Sequence, residues 1–211
     1  MTTVTTAPSH GDAEGKSDTD SDAGKFRQRL LGALAESIAD DGYPKTTVAD
    51  IVRRARTSRR TFYEHFTSKE DCFVVLHTEA NADMIRQIYG AVDGTASWQK
   101  QIRQAVEAWI TAGESQPTLT LSWIRDVPAM GAASRRLQRD TMEAFIVMVQ
   151  TLASSDALRA AGVGPVTRER AIMLLGGLRE LTAITVENGG HMRDITEEAV
   201  DATMALLAPR G

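Results

Sequence analysis

Apolar residues in the first part of the chain recur with the spacing of an α-helix. Leu30, Leu34 and Ile38 lie four residues apart and therefore share one helix face. Gly42 and Pro44 then end this helix, because glycine suits the left-handed residue after a helix and proline cannot continue one. Further apolar stretches separated by Gly and Pro predict more helices, over 71–91, 97–114, 118–126, 131–155, 167–187 and 195–207. The predicted fold class is all-α.

Two short helices lie between the first helix and the long ones. Thr47 is a suitable N-cap for the first of them, and Ser58 for the second, which runs over 59–66. Phe62 and Phe66 are spaced by four and face inward, which leaves the other side chains of that helix for solvent or a partner. Two short helices joined by a tight turn predict a helix-turn-helix, which the first helix completes as an N-terminal three-helix domain.

Positive charge is concentrated in this region. The whole chain carries −4, but residues 42–69 hold seven Lys or Arg residues against Asp50 and Glu64, a local net charge of +5. A basic segment on an acidic body favours one anion-binding face. Arginines at the start of a recognition helix are well suited to reach guanine edges. The alternative interpretation of the cluster is a solvated helix surface.

The residues around the two short helices resemble the DNA-binding domain of the TetR family of bacterial regulators. The similar segments are TTVADI at 46–51, SRRTFYEHF at 58–66 and SKE at 68–70. The resemblance places Arg59 and Arg60 where bases or flanking phosphates are reached. It also implies that a second set of side chains contacts phosphates or supports those contacts, namely Thr47, Ser58, Thr61, Tyr63, His65 and Lys69.

The turn between the two short helices departs from the family pattern. The family usually has Gly-Val where this chain has Arg56-Thr57. A glycine there serves a backbone conformation that arginine adopts only at some energetic cost. The geometry of the turn is therefore expected to be strained, and Arg56 is an additional candidate phosphate ligand.

Large apolar residues on several of the later helices are typical of a small-molecule pocket. The resemblance implies a helical ligand-binding and dimerisation domain here, so we expect a mainly hydrophobic effector, whose anionic group, if it has one, would face Arg125. The alternative for each residue is ordinary core. The candidate ligand-binding residues are Met84, Trp109, Trp123, Phe145 and Met148, with Asn81 and Arg125 as polar additions.

The last two helices carry stripes typical of an interface. Gly176-Gly177 lowers helix stability by about 1 kcal/mol per residue relative to alanine, a loss that close backbone approach would explain. By resemblance these helices form a four-helix bundle across a two-fold axis, and the alternative is packing within one chain. The candidate interface residues are Ile172, Leu175, Gly176 and Arg179 on one helix, and Ala199, Ala202 and Leu206 on the other.

Several classes of protein are disfavoured. A lone Cys72 excludes an internal disulfide framework and a multi-cysteine zinc site. There is no Gly-rich phosphate loop and no histidine pair at metal spacing, so we expect neither catalysis nor a cofactor. His77 and His191 are each isolated and are interpreted as structural. No apolar run approaches the ~20 residues of a membrane span, and no secretory signal is visible, so the expected location is the cytoplasm.

These observations lead to one hypothesis about organisation and function. Residues 1–24 are predicted to form a disordered acidic arm, 25–70 the helix-turn-helix domain and 71–211 the effector-binding and dimerisation domain. The chain is predicted to be a homodimeric regulator without a membrane partner, most simply a repressor that a small hydrophobic effector releases from a palindromic double-stranded operator. Activation would use the same residues. The rival hypothesis is a helical small-molecule-binding or scaffolding protein that no longer binds DNA.

Overall fold

The computed structural model describes residues 14–208, and over those residues it contains helices and no strand. The all-α prediction is therefore confirmed. Two short 3-10 segments, Val127–Ala129 and Met192–Ile195, accompany ten α-helices. These are α1 Glu14–Asp41, α2 Val48–Arg54, α3 Arg59–His65, α4 Lys69–Ala91, α5 Trp98–Ser115, α6 Pro117–Arg125, α7 Gly131–Ala153, α8 Asp156–Ala160, α9 Arg168–Glu187 and α10 Thr196–Leu207.

The first three helices pack on one another as the predicted three-helix domain. The apolar face of α1 and the inward faces of α2 and α3 form one cluster of buried side chains, which includes Leu30, Leu34, Ile38, Ile51, Phe62 and Phe66. Each short helix begins at its predicted cap. The hydroxyl of Thr47 accepts a hydrogen bond from the backbone N–H of Asp50 at 3.3 Å, and that of Ser58 from Thr61 at 3.0 Å.

Helix α4 belongs to both halves of the molecule. Cys72, Phe73 and Leu76 in its first turns are buried in the same cluster as α1 and α3, whereas Ile88 is buried in a second cluster with α5, α7, α9 and α10. Because one continuous helix contributes to both cores, the predicted boundary at residues 70 and 71 marks the start of α4 and not a flexible linker. The division into domains stays a prediction.

The remaining helices agree closely with the predicted ones, and two differences have simple causes. Residues 131–155 were expected to form one helix, but α7 ends at Ala153 and Ser155 caps the short α8 by accepting from the backbone N–H of Leu158 at 3.4 Å. The 3-10 segment before α10 begins at Met192, which is buried against α5. Both features depend on single caps or contacts, which helical periodicity does not report.

The predicted disordered arm differs from the structure in its second half. Helix α1 begins at Glu14, so residues 14–24 are helical, while 1–13 lie outside the described residues. Across residues 14–208, no helix is both long and apolar enough to cross a membrane.

Candidate DNA-binding face and ligand cavity

Burial of the inner face of α3 determines which of its side chains are exposed. Phe62 and Phe66 are 0% and 2% exposed and fix the rotation of the helix against α1 and α2. Arg59, Arg60 and Tyr63 are consequently exposed, and Tyr63 keeps 57% of its surface accessible. Two further predicted contact residues on this helix, Thr61 and His65, are half-buried. The helix thus presents a polar, cationic face with aromatic and hydroxyl donors.

Ion pairs divide the cationic side chains of this region into two groups. Arg60 pairs with Glu64 at 3.1 Å and Arg53 with Asp50 at 2.8 Å, both on the surface. Arg54 reaches back to Asp40 on α1 at 2.6 Å, which withdraws it from the outer face. Among the side chains that the structure describes, no carboxylate pairs with the remaining cations of this region, which are Lys45, Arg56 and Arg59. The sequence did not distinguish Arg59 from Arg60, but the structure does.

The turn before α3 has the strained geometry that the sequence predicted. Arg56 has a φ of 50°, in the left-handed region that favours glycine. Thr57 donates its backbone N–H to Val52 O at 2.9 Å and Arg56 to Arg53 O at 3.2 Å, the hydrogen bonds of a Schellman C-cap. Arg29 on α1 adds support by donating to the carbonyls of Ala55 and Arg56. These contacts hold an arginine where the family usually has glycine.

Thr47, Ser58 and Lys69 are engaged within the chain. The two hydroxyl residues cap α2 and α3, so they set the positions of these helices. Lys69 donates from Nζ to Thr46 O at 2.9 Å and to Tyr43 O at 3.2 Å, and its ammonium lies 4.2 Å from the centre of the Tyr43 ring. An ammonium has three donors, so one remains for a phosphate. Lys69 therefore fastens the α1–α2 connection to the start of α4.

A cavity of about 210 Å³ lies among α4, α5, α6, α7 and α9. Five of the predicted ligand-binding residues line it together, namely Asn81, Met84, Trp109, Trp123 and Phe145. It also has polar lining residues that the sequence analysis did not assign to it, which include His77, Gln138, Thr141 and Arg179. These residues come from helices that are far apart in sequence, so no local motif predicts them.

Two predicted ligand-binding residues lie elsewhere. Met148 lines a second, smaller cavity of about 80 Å³. Arg125 lies on the surface, where it donates to Glu187 at 2.6 Å and to Glu180 at 3.0 Å, and these hydrogen bonds raise its pKa. Placing Arg125 in the pocket is therefore a correction to the prediction: its position near the end of α6 turns it toward the acidic face of α9.

His77 is the most unusual side chain of the cavity wall. It is 2% exposed, and its Nε2 has no hydrogen-bond partner. Burial lowers the pKa of His77 to about 3, so the imidazole is neutral at physiological pH. Its ring lies 4.2 Å from that of Phe73 and 5.4 Å from that of Trp123. The expectation of a structural histidine holds for its packing, but its Nε2 is left unsatisfied.

Arg179 and Leu175 of the predicted dimer interface face the cavity instead. Arg179 is half-buried, donates to Ile124 O at 2.9 Å, and has its pKa lowered by desolvation. Ile172 and Gly176 of the same helix remain exposed. Position 179 falls on the inner side of α9 because the helix packs against α6, a contact that the α9 sequence does not reveal.

The predicted stripe on α10 is also changed. Ala199 is 1% exposed and belongs to the core formed with α5 and α9, while Leu206 is half-buried and packs against that core; only Ala202 is exposed. Ala199 of this stripe thus packs within the chain. Exposed apolar side chains lie instead on α7 and α9, namely Val147, Ile172, Met173 and Ile184.

Comparison with known proteins identifies the N-terminal region. Residues 30–76 match the family described as bacterial regulatory proteins, tetR family. An uncharacterised HTH-type transcriptional regulator of Bacillus subtilis, YvdT, is 32% identical over 72 residues, which are 34% of this chain and 37% of that protein. The HTH-type transcriptional activator FasR of Mycolicibacterium smegmatis is 29% identical over 83 residues, 39% of this chain and 38% of its own length. The alignments thus span well under half of either relative.

Solved structures share the fold over most of the chain. The transcriptional regulator FadR from Bacillus subtilis, determined in complex with stearoyl-CoA, superposes with a TM-score of 0.74 over 87% of this chain and 99% of that one, at 15% identity. The fatty acid degradation regulator FadR from Bacillus halodurans gives a TM-score of 0.77 over 88% and 97%, again at 15% identity. At this level of identity the likeness concerns the fold.

Proposed function

Residues 30–76 make this chain a member of the tetR family of bacterial regulatory proteins, and from that premise we propose that it is a ligand-responsive transcriptional repressor. In this proposal a homodimer binds a palindromic operator in the cytoplasm, and a small, mainly hydrophobic effector releases it. The family is one of DNA-binding regulators and not of enzymes. FasR is named as an activator. We propose repression for this chain because it is the simplest use of a DNA-binding domain that is coupled to a ligand cavity.

The main evidence for DNA binding is the outer face of α3. The buried Phe62 and Phe66 hold it rigidly, and Arg59 projects from its first turn with no carboxylate partner among the described side chains. An arginine without an intramolecular partner forms bidentate hydrogen bonds with a guanine at no loss of an ion pair. Arg60 must first leave Glu64. We therefore assign base recognition to Arg59, with Arg56, Arg60, Tyr63 and the remaining ammonium donor of Lys69 on phosphates.

The cavity supports effector binding. Its lining combines apolar side chains with a nearly equal number of polar ones, and together they can take hydrocarbon and hold a polar group. The same fold in Bacillus subtilis FadR holds stearoyl-CoA, which is compatible with a largely hydrocarbon ligand in this chain.

The cavity also adjoins the helix that enters the DNA-binding domain. From Trp123 at the cavity, ring contacts run through His77 and Phe73 of α4 to Tyr43 in the α1–α2 connection, with centroid distances of 5.4, 4.2 and 4.1 Å. An effector that binds one arrangement of α4 more tightly than another would shift the spacing of the two recognition helices. Equal affinity for both arrangements would shift nothing.

Dimerisation is proposed through α7 and α9 and not through α10. These two helices pack on each other and leave apolar side chains exposed, with Met173 at 64% and Val147 at 50%. Met173, Gly177 and Ile184 recur at helical spacing, and a Cβ at Gly176 or Gly177 would meet no atom of the chain within 4 Å. Exposed glycines between exposed apolar residues suit close approach of a second copy.

The test of DNA binding compares two neighbouring arginines. Selection from a random DNA pool with the full-length protein should yield a near-palindrome, and each base of one half-site is then substituted. We expect Arg59→Ala to weaken binding by about 1–3 kcal/mol per half-site and to relax the preference at one base pair. The matched control, Arg60→Ala, should lose less affinity and do so evenly across sequences. If no sequence is enriched, the chain is the non-DNA-binding alternative.

A further inference from the structure

The two cavities are neighbours separated by one layer of side chains. Trp109, Phe145, Leu175 and Leu178 line both of them. The larger cavity, at about 210 Å³, is below the ~300 Å³ at which ligand pockets usually begin. Rotation of the shared side chains would add the second cavity of about 80 Å³. A ligand that fills this site therefore extends from the first cavity into the second.

The chemistry of the two cavities differs. The first has His77, Asn81 and Arg179 in its wall. The second is lined almost wholly by hydrocarbon, for example by Ile102 and Leu174. A molecule that satisfies both must carry a polar group at one end and an apolar chain at the other.

The polar end has an unfilled hydrogen-bonding position. Buried polar atoms in proteins nearly always have a partner, yet the Nε2 of His77 has none and the side chain is 2% exposed. Because burial keeps this imidazole neutral, Nε2 in its protonated tautomer donates one hydrogen bond without adding a charge. An oxygen atom of a bound molecule would supply the missing acceptor.

The wall of the same cavity holds a half-buried guanidinium, that of Arg179. Arg179 uses one of its N–H groups on Ile124 O, and a guanidinium has five. The neighbouring Glu180 is held by Arg125 at 3.0 Å through both oxygens. Asp83 is the other charged residue of the lining and pairs with Arg86. A half-buried cation without a carboxylate partner in the described part of the chain favours an anionic ligand group.

From this arrangement we infer that the effector is an amphiphilic carboxylic acid. Its carboxylate accepts hydrogen bonds from the Arg179 guanidinium and from His77 Nε2–H, and its hydrocarbon chain passes Trp109 and Phe145 into the second cavity. This assignment rests on the proposed function, since it names the ligand of the effector cavity. It places the anionic group at Arg179 and not at Arg125.

The test titrates the full-length protein with straight-chain alkanoates from hexanoate to tetradecanoate, and with alkanols of the same lengths, by calorimetry. We expect an alkanoate to bind about tenfold or more tightly than its alkanol, which corresponds to about 1.4 kcal/mol. Arg179→Gln should bring the two affinities together. Arg103→Gln is the matched control, because Arg103 pairs with Glu197 and lines neither cavity; it should preserve the difference.

A second variant tests where the hydrocarbon chain of the ligand lies. Ala105 lines only the second cavity, and Ala105→Leu fills part of it. The affinity of the unchanged protein for an alkanoate should rise about three- to fourfold with each methylene added to the alkanoate, until the second cavity is full. In Ala105→Leu this rise should stop at a shorter chain, with hexanoate affinity unchanged. Thermal unfolding of each variant confirms that it is folded.

Three outcomes would overturn the inference: alkanols that bind as tightly as alkanoates, a preference that survives Arg179→Gln, or binding of long-chain acyl thioesters alone. DNA binding separates this inference from the proposed function. If no alkanoate binds while the protein still selects an operator, the ligand assignment is wrong and the regulator remains. If alkanoates bind but no DNA is selected, the ligand assignment holds and the proposed function fails.

Discussion

At the turn between α2 and α3, a single arginine occupies a backbone conformation that favours glycine. Arg56 has a φ of 50°, and a residue with a Cβ is less stable there by about 1–2 kcal/mol than in the right-handed region. The Schellman hydrogen bonds and the two contacts from Arg29 hold it in place. The strain lies directly before the recognition helix, so its relief acts on the position of α3.

Replacement of Arg56 separates this strain from the loss of its charge. Arg56→Gly should raise the free energy of unfolding by about 0.5–1 kcal/mol relative to Arg56→Ala, because both remove the guanidinium and only glycine removes the Cβ. The measurement is urea denaturation at a fixed protein concentration. Equal stability of the two variants would show that the left-handed conformation carries no penalty here.

At the scale of the helices, α9 has two faces with different tasks. Leu174, Leu175 and Arg179 point to the core or the cavity, whereas Met173, Gly177 and Ile184 are exposed. Helix α10 has no comparable apolar exposed face, since Ala199 and Val200 are buried within the chain. The two helices therefore contribute differently to assembly, although their sequences both carry stripes of small and apolar residues.

A charge placed on each helix tests which of them joins two copies. Met173→Glu on α9 should weaken the dimer by about tenfold or more, because a carboxylate would be buried without a partner in the interface. Ala202→Glu places the same charge on the exposed side of α10 and should leave the dimer intact. Sedimentation over a range of concentrations measures both. The opposite pattern would move the interface to α10.

At the scale of the whole molecule, His77 lies where the two cores meet. Its α4 neighbours Phe73 and Leu76 belong to the first core, and Trp123 packs beside it from α6. Burial lowers the pKa of His77 to about 3, below its usual value of about 6.5 in an unfolded chain. Between these values the unfolded state binds more protons, so stability is complete above pH ~6.5 and falls as the pH decreases toward 3.

This position predicts an acid-sensitive contribution to folding. From about pH 7 to about pH 5, His77 should remove about 2 kcal/mol from the free energy of unfolding, a loss that His77→Gln should not show. His65 of α3, replaced in the same way, is the matched control and should leave the pH dependence of the unchanged protein in place. Denaturant unfolding of the three proteins at several pH values provides the comparison. Parallel curves for all three would contradict a buried neutral His77.

Features that depend on neighbouring residues follow from the amino-acid sequence alone. Thr47 and Ser58 cap their helices, and Phe62 and Phe66 turn the other side of α3 outward. In each case the physical cause acts within about one helical turn: a side chain bonds a nearby N–H, or a four-residue spacing sets a face. The helix-turn-helix was therefore predictable.

Which helix faces meet depends on how the helices pack in three dimensions. The tertiary structure pairs Arg54 with Asp40 and Arg60 with Glu64, whereas Arg59 has no carboxylate partner among the side chains that the structure describes. It also turns Arg179 into the cavity and Arg125 out to Glu180 and Glu187. Periodicity fixes the direction of a side chain relative to its own helix, whereas burial and ion pairing depend on the helix packed opposite. That neighbour lies dozens of residues away, and its orientation is set by the packing of the whole core.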